Sequence, residues 1–278
     1  MPNTEAPASP MDPQADTTIA VADGVQASVR LYGSKKRGEV APLVVHFHGG
    51  AFVAGDLDCG YTVGHALAAA GACVVSVAYP LAPENPFPRP LEVGYAVLQW
   101  AYKRRTKLAG KDAPLYLAGE EAGGNLAAGV TMMARDQMHP PLAGQILISP
   151  MLDPCAGTAS QRAARGESIE CKWAEGWRQY LGGSYDAEHP YAVPAGALRL
   201  AGLPPTLILV AQADPMHDEA LRYAARLEAA GLTVFSHVFT EDGQWPEALL
   251  EPQPECCPCA AQLETQLRHF FETTRCRS

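Results

Sequence analysis

The chain has 278 residues and a formal net charge of −9, a sign that disfavours nucleic acid and anionic membranes as partners. Its 47% apolar content supports a sizeable core, and 18% charged residues is low for a disordered chain. No apolar run approaches the roughly 18 residues needed to span a bilayer. The N-terminus shows neither a basic n-region nor an apolar h-region, so no signal peptide is readable and a cytoplasmic protein is the expectation.

Residues 1–16 hold four prolines and read as a mobile tail before a domain over 17–278. Thr17 to Asp23 and Val25 to Tyr32 alternate apolar and polar residues around Gly24, the pattern of an edge hairpin. Leu43 to Phe47 is a continuous buried strand running into H-G-G-A-F at His48. A short helix over Tyr61 to Ala70, stopped by Gly71, leads to the buried strand Ala72 to Ala78. The proline-rich Tyr79 to Leu91 predicts an ordered loop, followed by a helix near Glu92 to Tyr102.

Leu115 to Ala118 is the next buried strand. It breaks at Gly119, and an Ala- and Met-rich run of helical length follows Gly123-Gly124. Strand, tight glycine turn and helix make the geometry of a nucleophile elbow, G-x-S-x-G. Here the frame is G-E-E-A-G, with Glu121 at the centre. Gln145 to Ile148 is a further strand. Residues 152–203 then interrupt the alternation, helical in patches such as Cys171 to Tyr180, and read as an insertion over the sheet's carboxyl edge. Alternation resumes with Thr206 to Val210, a helix from His217 to Ala230, the strand Thr233 to Phe239 and a last helix from about Ala260 to Phe271. Repeated β-α units with buried strands predict an α/β fold with a mostly parallel, doubly wound sheet. Ligand sites in such sheets lie at strand carboxyl ends, where His48, Glu121 and Asp214 fall.

The eight cysteines include C-C-P-C at Cys256, Cys257 and Cys259. With no secretory signal a disulfide framework is not expected, and the spacing lacks the paired C-x-x-C of structural zinc sites, so free thiols are favoured over metal. No metal and no cofactor are expected.

Four stretches together resemble the hormone-sensitive-lipase-like esterases, which are α/β-hydrolases: H-G-G-A-F at 48, Y-P-L-A-P-E-N-P-F-P at 79, G-E-E-A-G-G-N-L-A-A at 119 and D-P-M-H-D-E-A at 214. The resemblance implies an oxyanion hole from the backbone N–H groups of Gly50, Ala51 and Ala122, in the turn that begins His48-Gly49. It makes Asp214 the triad acid, Glu84 a structural glutamate, and Gly119 and Gly123 the elbow's structural glycines. Glu121 replaces the family's serine. Register from Val234 and Phe239 puts Gln244 at the histidine position, and no histidine lies between His237 and His269. The N-terminal half of the family's cap is missing, so a reduced helical cap and a more open pocket are expected.

Two proton-handling groups are thus replaced while the acid persists. The first reading is a catalytically inactive homologue that binds a small molecule, of ester or acyl type, or a partner. The family includes a plant gibberellin receptor that lacks a triad histidine. The second reading is an enzyme, a carboxylic-ester hydrolase with non-standard residues, using Glu121 with Asp214. The third is a structural subunit pairing through its last strand and helix with an active homologue, and a homodimer is a further partner considered. Glu121 itself has two options: to fold back into the N–H groups of the hole, or to turn toward Asp214. The first avoids like-charge repulsion and is the expectation.

Overall fold

The computed structural model of the chain describes residues 16–21, 24–155, 157–163, 167–240, 245, 249 and 260–275, the side chains of 167–171 excepted. Thr17–Ala20 (β1) and Gln26–Tyr32 (β2) form the expected antiparallel hairpin. Leu43–Phe47 (β3), Tyr61–Ala69 (α1), Cys73–Ala78 (β4) and Arg89–Leu108 (α2) follow. Leu115–Glu120 (β5), Ala122–Asp136 (α3) and Gly144–Ile148 (β6) come next. The segment between β6 and β7 holds Ala159–Ala163 (α4), Glu167–Tyr180 (α5), Ser184–Ala187 (α6) and a 3-10 turn at Pro194–Gly196. Thr206–Ala211 (β7), His217–Ala229 (α7), Val234–Phe239 (β8) and Ala260–Thr274 (α8) complete the described chain.

The strands make one 8-stranded sheet in the order β1-β2-β4-β3-β5-β6-β7-β8. The pairs β1–β2 and β2–β4 are antiparallel, and every other neighbouring pair is parallel. Side chains alternate faces along a strand, so each strand feeds two cores. Val45, Leu117, Leu147 and Ile208 meet Leu98 of α2, Leu126 of α3 and Leu227 of α7. Val44, Tyr116, Ile146 and Leu207 meet Leu67 of α1 and Phe270 of α8. Both faces are therefore dry, which explains the unbroken apolar runs of the central strands.

Register fixes the site. Phe47 lies opposite Gly119, and Glu120 opposite Ile148, so β3, β5 and β6 end side by side. Each then turns sharply: φ is 51° at Ala51 after β3, 52° at Glu121 after β5 and 44° at Ser149 after β6.

Several expectations need correction. Helix α2 begins at Arg89 rather than near Glu92, because Pro90 sits in its first turn, where no intrahelical N–H is required. It also continues past Tyr102, through charged residues that face solvent. Asp16 is not part of a loose tail: it accepts from the Arg30 guanidinium, with the Arg30 Nε at 2.6 Å. Glu84 is exposed in its turn. Helix α5 lies over the β3 and β5 ends so closely that a Cβ on Gly176 would stand 2.1 Å from the Ala51 carbonyl oxygen.

The elbow depends on similar close approaches. A Cβ on Gly123 would meet the Phe47 carbonyl oxygen at 2.0 Å, and one on Gly119 the Gly123 carbonyl oxygen at 2.1 Å. Neither neighbour can move, since both are backbone. The Gly123→Ala substitution is expected to cost about 3 kcal/mol in urea unfolding, the upper range for overpacking. Gly196→Ala, whose Cβ would meet only a Val193 methyl at 3.8 Å, should stay within about 0.5 kcal/mol of wild type.

Candidate functional site

Glu121 is the single residue between β5 and α3, with φ 52° and ψ −117°. A side chain in that region costs about 1–3 kcal/mol, so the surroundings must hold it there. They do so through the backbone: the Glu121 N–H donates to the Ile148 carbonyl at 3.0 Å, and its own carbonyl accepts from Met151 N–H at 3.0 Å. The residue is 3% exposed.

Its carboxylate folds back over the turn that follows β3. Oε2 accepts the Gly50 N–H at 2.5 Å and the Ala51 N–H at 3.2 Å. Oε1 accepts the indole N–H of Trp173, from α5, at 2.5 Å. Lys172, the preceding residue of α5, places its Nζ 3.6 Å from Oε1. Hydrogen bonds to a charged group contribute about 1.5–3 kcal/mol each, so three of them outweigh the backbone strain. Of the three expected donors the structure brings Gly50 and Ala51 onto Glu121. Ala122, the first residue of α3, makes no hydrogen bond to it.

A second layer holds that turn. The Gly49 N–H donates to Glu120 Oε1 at 3.2 Å, while Glu120 Oε2 lies 2.7 Å from His46 Nε2. His46 Nδ1 lies 3.0 Å from the Ser76 hydroxyl, and all three side chains are buried. His48 does not reach Glu121. Its ring stacks on Tyr79 at 4.4 Å, and its Nδ1 lies 2.7 Å from the Gly49 carbonyl oxygen. Burial pushes its pKa below the usual histidine value, so the ring is neutral. The Tyr79 hydroxyl donates to the His48 carbonyl at 2.8 Å. Sequence reasoning missed His46, Glu120 and Ser76, whose alliance spans three strands.

Asp214 is completely buried and occupies a separate cluster. Its Oδ1 accepts the Met216 N–H at 2.8 Å. Its Oδ2 accepts the Ser149 hydroxyl and, at 2.9 Å, the indole N–H of Trp245, which also lies 2.6 Å from Ser149 Oγ. Burial raises the Asp214 pKa above the usual aspartate value, and these donors oppose it. Gln244, expected to face the acid, lies outside the described residues. The side chain that meets Asp214 is the next one along, Trp245. An indole offers an N–H donor and no acceptor nitrogen, so it satisfies the acid without being a base. The available signal was an N–H-bearing aromatic one position from the assigned site. His217 pairs with Asp218 at 3.1 Å instead.

Asp214 and Glu121 share no hydrogen-bond partner, so the carboxylate pair considered for acid–base work does not form a common contact. Among the described residues no group of three or more His, Cys, Asp or Glu side chains is arranged to hold a metal ion. The Cys256, Cys257 and Cys259 cluster lies outside them.

Residues 44–243 match the family described as the alpha/beta hydrolase fold. The chain is 37% identical over 203 residues to Esterase LipI of Mycobacterium tuberculosis, an alignment covering 71% of this chain and 63% of that protein. It is 35% identical over 214 residues to Gibberellin receptor GID1C of Arabidopsis thaliana, covering 71% of this chain and 60% of the receptor. The matched part thus spans less than two thirds of these relatives' length. Among solved structures, a thermostable esterase from Pseudomonas putida superposes with a TM-score of 0.80 at 29% identity, covering 96% of this chain and 84% of the esterase.

One buried carboxyl lies outside both clusters. Glu219 of α7 accepts the Leu152 N–H at 3.2 Å through Oε1, and its Oε2 has no hydrogen-bond partner among the described residues. Burial raises its pKa well above the ordinary 4.5. As pH rises past 4.5 the unfolded chain ionises this group while the folded chain keeps its proton, so the folded state loses stability with rising pH. Glu219→Gln removes that loss. Its urea midpoint relative to wild type is expected to climb steadily between about pH 4.5 and 7.5. A constant offset across that range would mean that Glu219 is ionised in the fold.

Proposed function

The chain belongs to the α/β-hydrolase fold family, among the hormone-sensitive-lipase-like esterases, and from that premise we propose that it binds a small molecule on this scaffold without hydrolysing esters. The observation that carries the reading is the Glu121 carboxylate seated on the N–H groups of Gly50 and Ala51. An ester hydrolase needs those donors free for the oxyanion that develops on the substrate carbonyl. Here a fixed negative oxygen already accepts them, and it repels a second one. The second support is Trp245. A serine hydrolase places a histidine on its acid so that the far ring nitrogen can take the nucleophile's proton. Trp245 donates to Asp214 at 2.9 Å and has no far nitrogen. Nucleophile and base are replaced together, and each replacement satisfies the backbone or acid left behind.

A working pair of carboxylates, Glu121 with Asp214, is the alternative. It lacks support, because the two groups take different donors on different elements. The protein is proposed to act in the cytoplasm without a cofactor. Recognition of a ligand on this scaffold has a parallel in the similarity to plant gibberellin receptors.

Steady-state assays on p-nitrophenyl acetate and butyrate test this reading. Wild type is expected to show no saturable turnover. Even with a disabled triad, residual acceleration of roughly 10³–10⁴ over water comes from the oxyanion hole and binding, and a filled hole removes part of that. Saturable hydrolysis at ordinary esterase rates, lost on Glu121→Gln, would overturn it.

Restoration gives a second prediction. Glu121→Ser alone should stay at background, because no base faces the new hydroxyl. Glu121→Ser with Trp245→His should exceed both the single variant and Glu121→Ser with Gln244→His, by about a hundredfold, the lower end of the range for general-base catalysis. Greater activity in the Gln244→His combination would place the base position at 244.

A further inference from the structure

The proposed binding function leaves the class of ligand open, and the lone pairs of Glu121 narrow it. A carboxylate offers about four acceptor directions, two per oxygen. Oε2 uses two, on the N–H groups of Gly50 and Ala51. Oε1 uses one, on the Trp173 indole. The remaining direction of Oε1 faces Lys172, whose Nζ is 3.6 Å away, too far for a hydrogen bond. That direction holds an ion pair and nothing tighter.

The two partners differ in exposure. The Glu121 side chain is 4% exposed and that of Lys172 is 46% exposed. Lys172 therefore reaches in from solvent over the edge of α5, and its flexible stem can leave by the same route. Trp173 and Trp177, one helical turn apart on α5, are both buried, and Trp177 packs on Phe52 with ring centroids 4.9 Å apart. Of the two, Trp173 is the one that meets the carboxylate.

We propose that Glu121 is the anchor of a binding site for small primary ammonium compounds, with the Lys172 ammonium as its internal occupant. A ligand ammonium would displace Lys172, approach Oε1 to hydrogen-bond distance and leave its apolar body along the route to solvent that the Lys172 stem now takes. Three N–H donors keep the carboxylate oriented in the free protein, so little ordering remains to be done on binding. Esters and carboxylates, the ligands that the scaffold's donors would otherwise attract, are excluded by the charge of Glu121. This inference rests on the reading of the chain as a binder rather than an esterase.

Titration calorimetry with n-butylammonium, n-butanol and butyrate tests it at neutral pH, on wild type, Lys172→Gln and Glu121→Gln. Wild type should bind butylammonium in preference to the other two. Removing the internal competitor, Lys172→Gln should bind butylammonium about threefold to fivefold tighter, the scale of a surface ion pair. Glu121→Gln should bind it at least about tenfold weaker, as expected when a charged acceptor is lost. Salt at 0.5 M should weaken the wild-type interaction. If Lys172→Gln binds butylammonium no better than butanol, or if butyrate binds best to wild type, the ammonium site is wrong. Should Glu121→Gln fail to fold, the Lys172→Gln and salt comparisons still decide. Ester turnover by wild type would instead overturn the binding reading itself, and these unreactive probes would still rank cation against anion.

Discussion

The charge-assisted contact between the Glu121 carboxylate and the turn after β3 is the interaction on which the rest of the site depends. A glutamate at a left-handed elbow position is strained, and a buried carboxylate without donors would be far costlier still. Both penalties are met by the same device, the N–H groups of Gly50 and Ala51 together with the Trp173 indole. Because Trp173 belongs to α5, the contact also ties that helix to the sheet edge. Gly176 lets α5 approach the Ala51 carbonyl, and a side chain there would drive the two apart. Closure of the site and occupation of its donors are one structural event.

The turn is held from below as well. Glu120 takes the Gly49 N–H with one oxygen and meets His46 with the other, and His46 reaches Ser76. These residues come from β5, β3 and β4, so the turn inherits the stiffness of three central strands. Consecutive glutamates thus have opposite tasks. Glu120 supports the turn from within the core, and Glu121 caps it from the side of α5. Alternation of side chains along β5 sets the first of these directions, and the elbow sets the second.

Asp214 follows a parallel logic in its own cluster. A buried carboxyl with a raised pKa is stable only while donors surround it, and Ser149, Met216 and Trp245 supply them. An indole N–H answers the electrostatic need of the acid as an imidazole N–H would, and cannot accept a proton. Preservation of an acid therefore need not signal preserved catalysis. It keeps the carboxyl-end loops of β6, β7 and β8 together.

The order of strands and helices was largely legible in the sequence, since buried runs, glycine stops and the G-E-E-A-G frame are local signals. Glu121 at the elbow followed from the glycine frame, and Gly50 and Ala51 as donors from the family resemblance. The helix ends shifted where proline or exposed charge blurred the pattern, as at Arg89 and beyond Tyr102 in α2. Trp245, Trp173 and Lys172 were invisible for another reason: they lie 31, 52 and 51 residues from the carboxylates they meet, taking the separations from Asp214 for the first and from Glu121 for the others. Sequence alone determined which residue stands at the elbow and which scaffold carries it, because identity and local backbone are written in adjacent residues. The tertiary structure decided which groups meet it, because hydrogen-bond partners are chosen by distance in space, and only the packing of α5 and the β8 loop onto the sheet brings those N–H groups to the two acids.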